Sequence, residues 1–471
     1  MSEGTLDTLV IGSGISGLGA AVELRAAGRT VRVLEAGDRP GGVIRTDRRD
    51  GFCLERGANA FRVPAPLYAW LLRHGLDGVL LRAGPEARMR ALFLDGRLLW
   101  LPESLPGAFT TPLLSTRAKL RAAGEIFLGG GDRRDETVSE FITRRFGKEL
   151  LERAVAPFLT GVYAGDEDQL GAEAVFPQLV AWERSHGSVL RGALRNALRR
   201  GRPRGLPGSH STATGVAGFV DALVQSVGDA LTCGARIDEL ACADGEVVAR
   251  GGGSVWRARS VVVALPAREA GALLAPSDPA LRALFDRIVY APMASLALSV
   301  DPTRSREKIR GFGFLVPRQA GIRLLGALFP ARVFPDRAPA GRELVMAMVG
   351  GTRWPGVVDA SDDALLEVAT EGLDRTLGAE IAEAPLAIRR WPRAVPQPGP
   401  FHTAQIRELR AAVARARPGV ELAGSYLEGV SVGDALLSGV RAARSLIASK
   451  FAPSDHPSLR NQPPSQAETA T

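Results

Sequence analysis

Lysine is almost missing from this chain of 471 residues: Lys119, Lys148, Lys308 and Lys450 are the whole set, among 59 basic residues. The formal charge of +8 is therefore carried by arginine. It forms no domain-sized basic patch interleaved with aromatic residues, so no nucleic-acid partner is expected. Cysteine is nearly as scarce. Cys53, Cys233 and Cys242 form no CxxC pair, which argues against a disulfide framework and fits a reducing compartment. His74, His186, His210, His402 and His456 show no paired helical spacing, so no metal site is expected. No run of about 18 apolar residues is present, and none is expected to cross a membrane. The first residues lack the basic start and apolar stretch of a secretory signal. Neither a nucleophile–histidine–acid set nor a pair of carboxylates announces itself.

What the chain has is glycine, 54 residues of it, and the informative ones come first. The apolar run Thr8-Leu9-Val10-Ile11 has strand character and leads into Gly12-Ser13-Gly14-Ile15-Ser16-Gly17, after which an alanine-rich helical pattern begins. A second apolar run, Val31-Arg32-Val33-Leu34, ends in Glu35. Strand, glycine turn, helix, strand and acid in that order make a dinucleotide-binding unit. Gly12 allows the tight turn, Gly14 leaves room for a pyrophosphate, and Gly17 lets the helix pack on the sheet. The helix start offers unpaired N–H groups to phosphate, and Glu35 can accept from ribose hydroxyls. A further turn, Arg39-Pro40-Gly41-Gly42 before Val43-Ile44-Arg45, resembles the second glycine element of FAD-dependent amine-oxidase-like flavoproteins and favours FAD over NAD.

With 45% hydrophobic and 23% charged residues, the chain reads as a globular enzyme of two or three domains. The nucleotide domain is assembled from residues 1–85, 211–283 and 416–450. Within the middle segment, strands are expected at Ala235-Arg236-Ile237 and Ser260–Ala264, with a hairpin through Glu246–Val248 and Ser254–Trp256. Residues 86–210 read mostly as helix from Thr116 to Arg200, with Pro157 as a break. The stretch ends in Arg191, Arg195, Arg199, Arg200, Arg202 and Arg204, a solvated edge or a contact for anionic lipid or an acidic substrate. Residues 284–415 alternate short apolar runs with turns, as an antiparallel sheet with helices would. The tail, 453–471, is polar and expected to be disordered.

Over about residues 6–450 the chain resembles the oxygen-dependent protoporphyrinogen oxidase family, coproporphyrinogen III oxidases included. The motifs carrying this, beyond the two glycine turns, are Leu54–Phe61, Gly161–Asp166, Ala174–Pro177, Gly311–Pro317, Arg390-Trp391-Pro392 leading to Pro396-Gln397, and Gly424–Val430. Departures occur at Ala58, Pro398, Gly433 and Ala435, where the family usually has proline, an aromatic residue, asparagine or proline, and cysteine.

The resemblance implies α/β plus α+β architecture: a Rossmann-like FAD-binding domain of discontinuous segments, an antiparallel-sheet substrate domain and a helical membrane-associating insertion. It implies noncovalent FAD, since no cysteine follows Cys242 to tether it, with molecular oxygen as acceptor. The FAD contacts it carries over are Gly12, Ser13, Gly14, Ile15, Ser16, Gly17, Glu35, Ala36, Arg39, Gly42, Val43, Gly57, Ala58, Asn59, Ala60, Ile237, Trp391, Ser425, Val430, Ser431 and Val432. The substrate contacts are Arg90, toward a propionate, with Phe158, Gly161, Phe312, Gly313, Leu315 and Met348. No catalytic base is assigned. The implied reaction is six-electron oxidation of protoporphyrinogen IX, or of coproporphyrinogen III. An amine oxidase or carotenoid desaturase on the same fold, and a FAD-fold escort of prenylated GTPases, are the other readings. Expected too are a cytoplasmic protein, monomer or homodimer, held peripherally on the inner face of the cell membrane, and product hand-off to a ferrochelatase.

Overall fold

The computed structural model describes residues 5–449, apart from 103–106, 108–110, 132, 134, 199–204, 244 and 382. Arg199, Arg200, Arg202, Arg204 and the tail at 453–471 lie outside the described residues.

The first core forms around a parallel sheet. Leu6–Ile11 pairs on one side with Val31–Leu34 and on the other with Ser254–Val263. Leu231–Thr232 extends one edge, and Val420–Leu422 pairs with Val261–Val263 on the other. These strands are apolar almost without alternation because helices cover both faces. The helices Ile15–Ala26, Ala217–Val227 and Val432–Ala448 pack one face, with Leu18, Phe219 and Leu436 fully buried among them. Glycine sets how close they come: a Cβ on Gly19 would stand 2.9 Å from the Leu436 carbonyl oxygen, and one on Gly439 would overlap that of Ser16. Ala267–Leu274, Pro279–Asp286 and His402–Ala416 close the other face.

Two strand expectations change here. Ser254–Val263 is one ten-residue strand. Its first half pairs antiparallel with Glu246–Gly251 and its second half runs parallel to Leu6–Ile11, so the hairpin and the buried strand of the sequence reading are continuous. Residues 235–237 are not a strand. The short strand lies earlier, at Leu231–Thr232, and Gly234 and Ala235 then donate to the carbonyls of Gly37 and Glu35.

A second sheet runs in the order Ala387–Pro396, Tyr290–Val300, Glu343–Gly350, Leu324–Leu328, Gly313–Leu315, Arg90–Leu94, Arg97–Trp100. All its pairings are antiparallel except Gly313–Leu315 with Arg90–Leu94. Strands 90–94 and 97–100 therefore belong to this sheet, although the sequence divided the chain at 86. One face buries Leu296, Phe314, Ala347 and Val349 against the helix Asp362–Leu377. The opposite face is covered at one end by Phe52 and Leu54, which pack on Ala297, Leu344 and Met346.

The helical insertion has its own core of Val138, Phe141, Leu151, Leu159 and Val180. Pro157 does not break it. Helical turns continue from Lys148–Leu150 through a π-turn at Leu151–Val155 into Ala156–Tyr163. The widened turn accommodates a proline that has no N–H to donate.

Candidate cofactor and substrate site

The first glycine turn is built as its sequence requires. Gly12 has φ of +96°, and a Cβ there would meet the Ala264 carbonyl oxygen at 2.6 Å. A Cβ on Gly17 would overlap the carbonyl oxygen of Gly12. Gly14 differs: nothing lies within 4 Å of the place a Cβ would take. Its surroundings are open, as they must be where an outside group approaches the backbone. Ile15 and Ser16 begin the helix, with no acid in its first turn to compete for an anion.

Glu35 leaves the second strand and turns back on this loop. One oxygen accepts from the N–H and hydroxyl of Ser13 (2.8 and 2.7 Å), the other from the N–H of Gly37 (2.8 Å). The carboxylate is thus fixed in direction, with acceptor capacity left for a ribose. Ala36 is exposed beside it, and Ile237 is half-buried two residues past Ala235, which donates to Glu35.

The second glycine element docks against the first. Gly41 donates to the Ser13 carbonyl and Gly14 pairs with Gly41. Arg39 is spent on this turn: its guanidinium donates to the carbonyls of Pro40, Gly42 and Ile44. Val43 is 61% exposed although apolar. A Cβ on Gly57 would stand 2.7 Å from the Val43 carbonyl oxygen, which places Ala58, Asn59 and Ala60 next along the same wall. The Asn59 Oδ1 is buried without a donor among the described residues. At the far end, Ser431 caps the last helix by accepting from the Asp434 N–H. Val430 packs on the helical insertion, Val432 on the nucleotide domain, and Ser425 opens the turn before them. An open glycine cradle, an exposed valine and an orphaned buried carbonyl are what a flavin dinucleotide would cover or satisfy, so these residues fit FAD.

The substrate-side residues converge on the open face of the second sheet. Gly313 and Leu315 pair with Arg90 and Leu92, Leu315 with Gly326, and Gly326 with Met348. Trp391 enters the same face through its pairing with Met293. Opposite stands the helix Ala156–Tyr163. It turns Phe158, Gly161 and Val162, spaced along one side, toward solvent. The Leu315 side chain lies 2.7 Å from where a Gly161 Cβ would be, so a side chain at 161 would push Leu315 aside. Phe158 stacks on Phe176 at 6.1 Å. The Arg90 guanidinium lies 5.0 Å from the centre of the Phe312 ring and has no acceptor or carboxylate partner among the described residues. Arg90 is exposed at the start of its strand; partial desolvation, then the charge of Arg62, lower its pKa.

Three neighbouring groups escaped the sequence reading. Arg353 donates to Val316 O and Thr160 Oγ1, each at 2.8 Å, and so pins the Phe158 helix to the sheet. Burial, and then Arg318, bring its pKa down to about 10. Burial, with Asp434 nearby, pushes the Tyr163 phenol up to about 12. Arg62 stands within the electrostatic reach of Arg90. In a chain so rich in arginine, no local signal separates Arg353 and Arg62 from other arginines, and Tyr163 lies within the Gly161–Asp166 motif without being singled out.

The family description "Flavin containing amine oxidoreductase" matches residues 15–447. The chain belongs to the flavin containing amine oxidoreductases. Curated relatives of this flavoprotein include protoporphyrinogen oxidase 1, chloroplastic, of Spinacia oleracea, 32% identical over 91% of this chain and 82% of that one. Coproporphyrinogen III oxidase of Bacillus subtilis is 28% identical over 93% and 97%. Among solved structures, a candidate protoporphyrinogen oxidase from Exiguobacterium sp. 255-15 superposes with a TM-score of 0.76 at 25% identity, covering 95% of this chain and 99% of that one. Family membership makes the chain an FAD-dependent oxidoreductase. No group of residues that could hold a metal ion occurs among the described residues.

Proposed function

We propose that this flavoprotein oxidises protoporphyrinogen IX to protoporphyrin IX, with molecular oxygen as the final acceptor. One observation carries the reading: Arg90, with no carboxylate partner among the described residues, shares a sheet face with Leu315, and the helix that packs on Leu315 leaves the apolar Phe158 and Val162 exposed. A flat, apolar macrocycle with acids on one edge matches that layout, and the names of the relatives point the same way. When bound, FAD supplies the two-electron acceptor for each of three dehydrogenations.

The chain's own residues do the positioning. Gly14 gives close backbone approach, and the N-terminus of the helix Val432–Ala448 directs its partial positive charge at the far end of the cofactor channel. Arg90 orients the acid edge, while Phe158, Leu315 and Met348 exclude water from the ring faces. Arg353 keeps the Phe158 helix in place.

Arg90→Ala is expected to raise the KM for protoporphyrinogen IX about tenfold or more, the loss of a charge-assisted contact, while flavin content stays unchanged. An unaltered KM would refute the propionate role. Coproporphyrinogen III is the second reading, favoured by the coverage of the Bacillus subtilis relative. Parallel aerobic assays of both porphyrinogens decide between them by kcat/KM.

A membrane-facing role for the insertion is part of the same proposal. Leu120, Phe127, Leu194 and Leu198 are 69%, 83%, 58% and 74% exposed; Arg117 and Arg121 share the helix of Leu120, and Arg191 and Arg195 that of Leu194 and Leu198. No helix among the described residues is long and apolar enough to cross a membrane; this surface suits the interface instead. Phe127→Asp with Leu194→Asp is expected to abolish co-sedimentation with anionic vesicles and leave turnover in detergent intact. Undiminished sedimentation would contradict the assignment.

A further inference from the structure

Arg62 occupies the middle of the short strand Phe61–Val63. Phe61 and Val63 are buried in the nucleotide-domain core, so strand alternation turns Arg62 to the opposite side. Ala60 shares that side, and it packs in the same apolar cluster as Phe312, whose ring carries Arg90. The Arg62 carbonyl lies 3.5 Å from the place a Gly433 Cβ would take, at the start of the last helix. Arg62 therefore stands between the far end of the cofactor channel and Arg90. Neither guanidinium has an acceptor or a carboxylate partner among the described residues. Both are exposed, so an anion can reach them, and its arrival relieves the repulsion of the two like charges.

We propose that Arg62 and Arg90 form a two-cation cradle for the carboxylate edge of the tetrapyrrole, Arg62 holding one of two neighbouring propionates and Arg90 the other. The inference rests on the porphyrinogen reading of the site. It fixes orientation: the acid edge lies on the side of Ala60 and Phe312, and the apolar edge is directed toward Phe158 and Val162.

The test is equilibrium binding of protoporphyrin IX and of its dimethyl ester to the full-length, flavin-loaded protein. Wild type is expected to prefer the free acid. Arg62→Gln should weaken free-acid binding about tenfold, leave the ester unaffected, and match wild type in flavin content and Tm, since the side chain is exposed. Arg62→Lys should recover most of the loss. Arg62→Gln with Arg90→Gln should remove the preference for the acid. Free-acid binding by Arg62→Gln equal to that of wild type would overturn the cradle and leave the porphyrinogen reading standing. Wild type that binds neither porphyrin would overturn both.

Discussion

Gly14→Ala is expected to fold normally and purify nearly free of flavin, whereas Gly17→Ala loses flavin and stability together. The two glycines sit in one turn and face opposite constraints. Gly14 has φ −62° and ψ 173°, which alanine adopts freely, and open space where the methyl would go. The change costs the helix start about 0.5–1 kcal/mol. The methyl would instead occupy the approach of a pyrophosphate. At Gly17 the methyl would overlap the Gly12 carbonyl oxygen and stand 3.2 Å from the Ala264 Cβ. Backbone must shift, a change worth about 1–3 kcal/mol or more. Flavin-to-protein absorbance ratios and thermal melts measure both effects. Full flavin occupancy in Gly14→Ala would place the pyrophosphate elsewhere.

Arg145→Ala should destabilise the helical insertion by about 3–5 kcal/mol, the cost of leaving a buried carboxylate unpaired. Arg145 is 1% exposed and Glu125 fully buried. The arginine binds Glu125 and also donates to the carbonyls of Gly129 and Gly187. Glu125 in turn accepts from the Ser188 hydroxyl and from the N–H groups of Val189 and Leu190, capping the helix Val189–Leu198. This one pair ties the segments around residues 125, 145 and 188 together. The expected readout is an early unfolding step, with proteolysis confined to the insertion and flavin retained.

The pH dependence has a definite sign. Burial alone would raise the Glu125 carboxyl, but donors from Leu190, Ser188, Val189 and Arg145 outweigh it and hold the pKa below the ordinary value. Its contribution is complete above the ordinary glutamate range, roughly pH 4, and disappears as pH falls through the lowered value. The gap between wild type and Arg145→Ala should therefore narrow in acid. A gap independent of pH would contradict the network.

Much of the cofactor site was legible because its signals are local. Gly12–Gly17, Glu35 and Gly41-Gly42 declare themselves by spacing, and the structure docks them on one another through Ser13. The substrate side depends on distant pairings. Nothing near residue 90 says that Arg90–Leu94 completes a sheet made largely from residues 290–396. Residues 235–237 looked like a strand by composition, yet the adjacent backbone is used to pin the Glu35 turn. Pro157 looked like a break because a π-turn leaves no mark in sequence. Arg62 and Arg353 were hidden by the abundance of arginine, and only their places in the fold distinguish them.

Anaerobic mixing of the flavin-loaded protein with protoporphyrinogen IX tests the central claim most directly. The account predicts loss of the oxidised-flavin absorption in step with growth of porphyrin fluorescence, and recovery of the flavin spectrum when air is admitted. Flavin that stays oxidised with both protoporphyrinogen IX and coproporphyrinogen III, in protein that a simple amine does reduce, would contradict it.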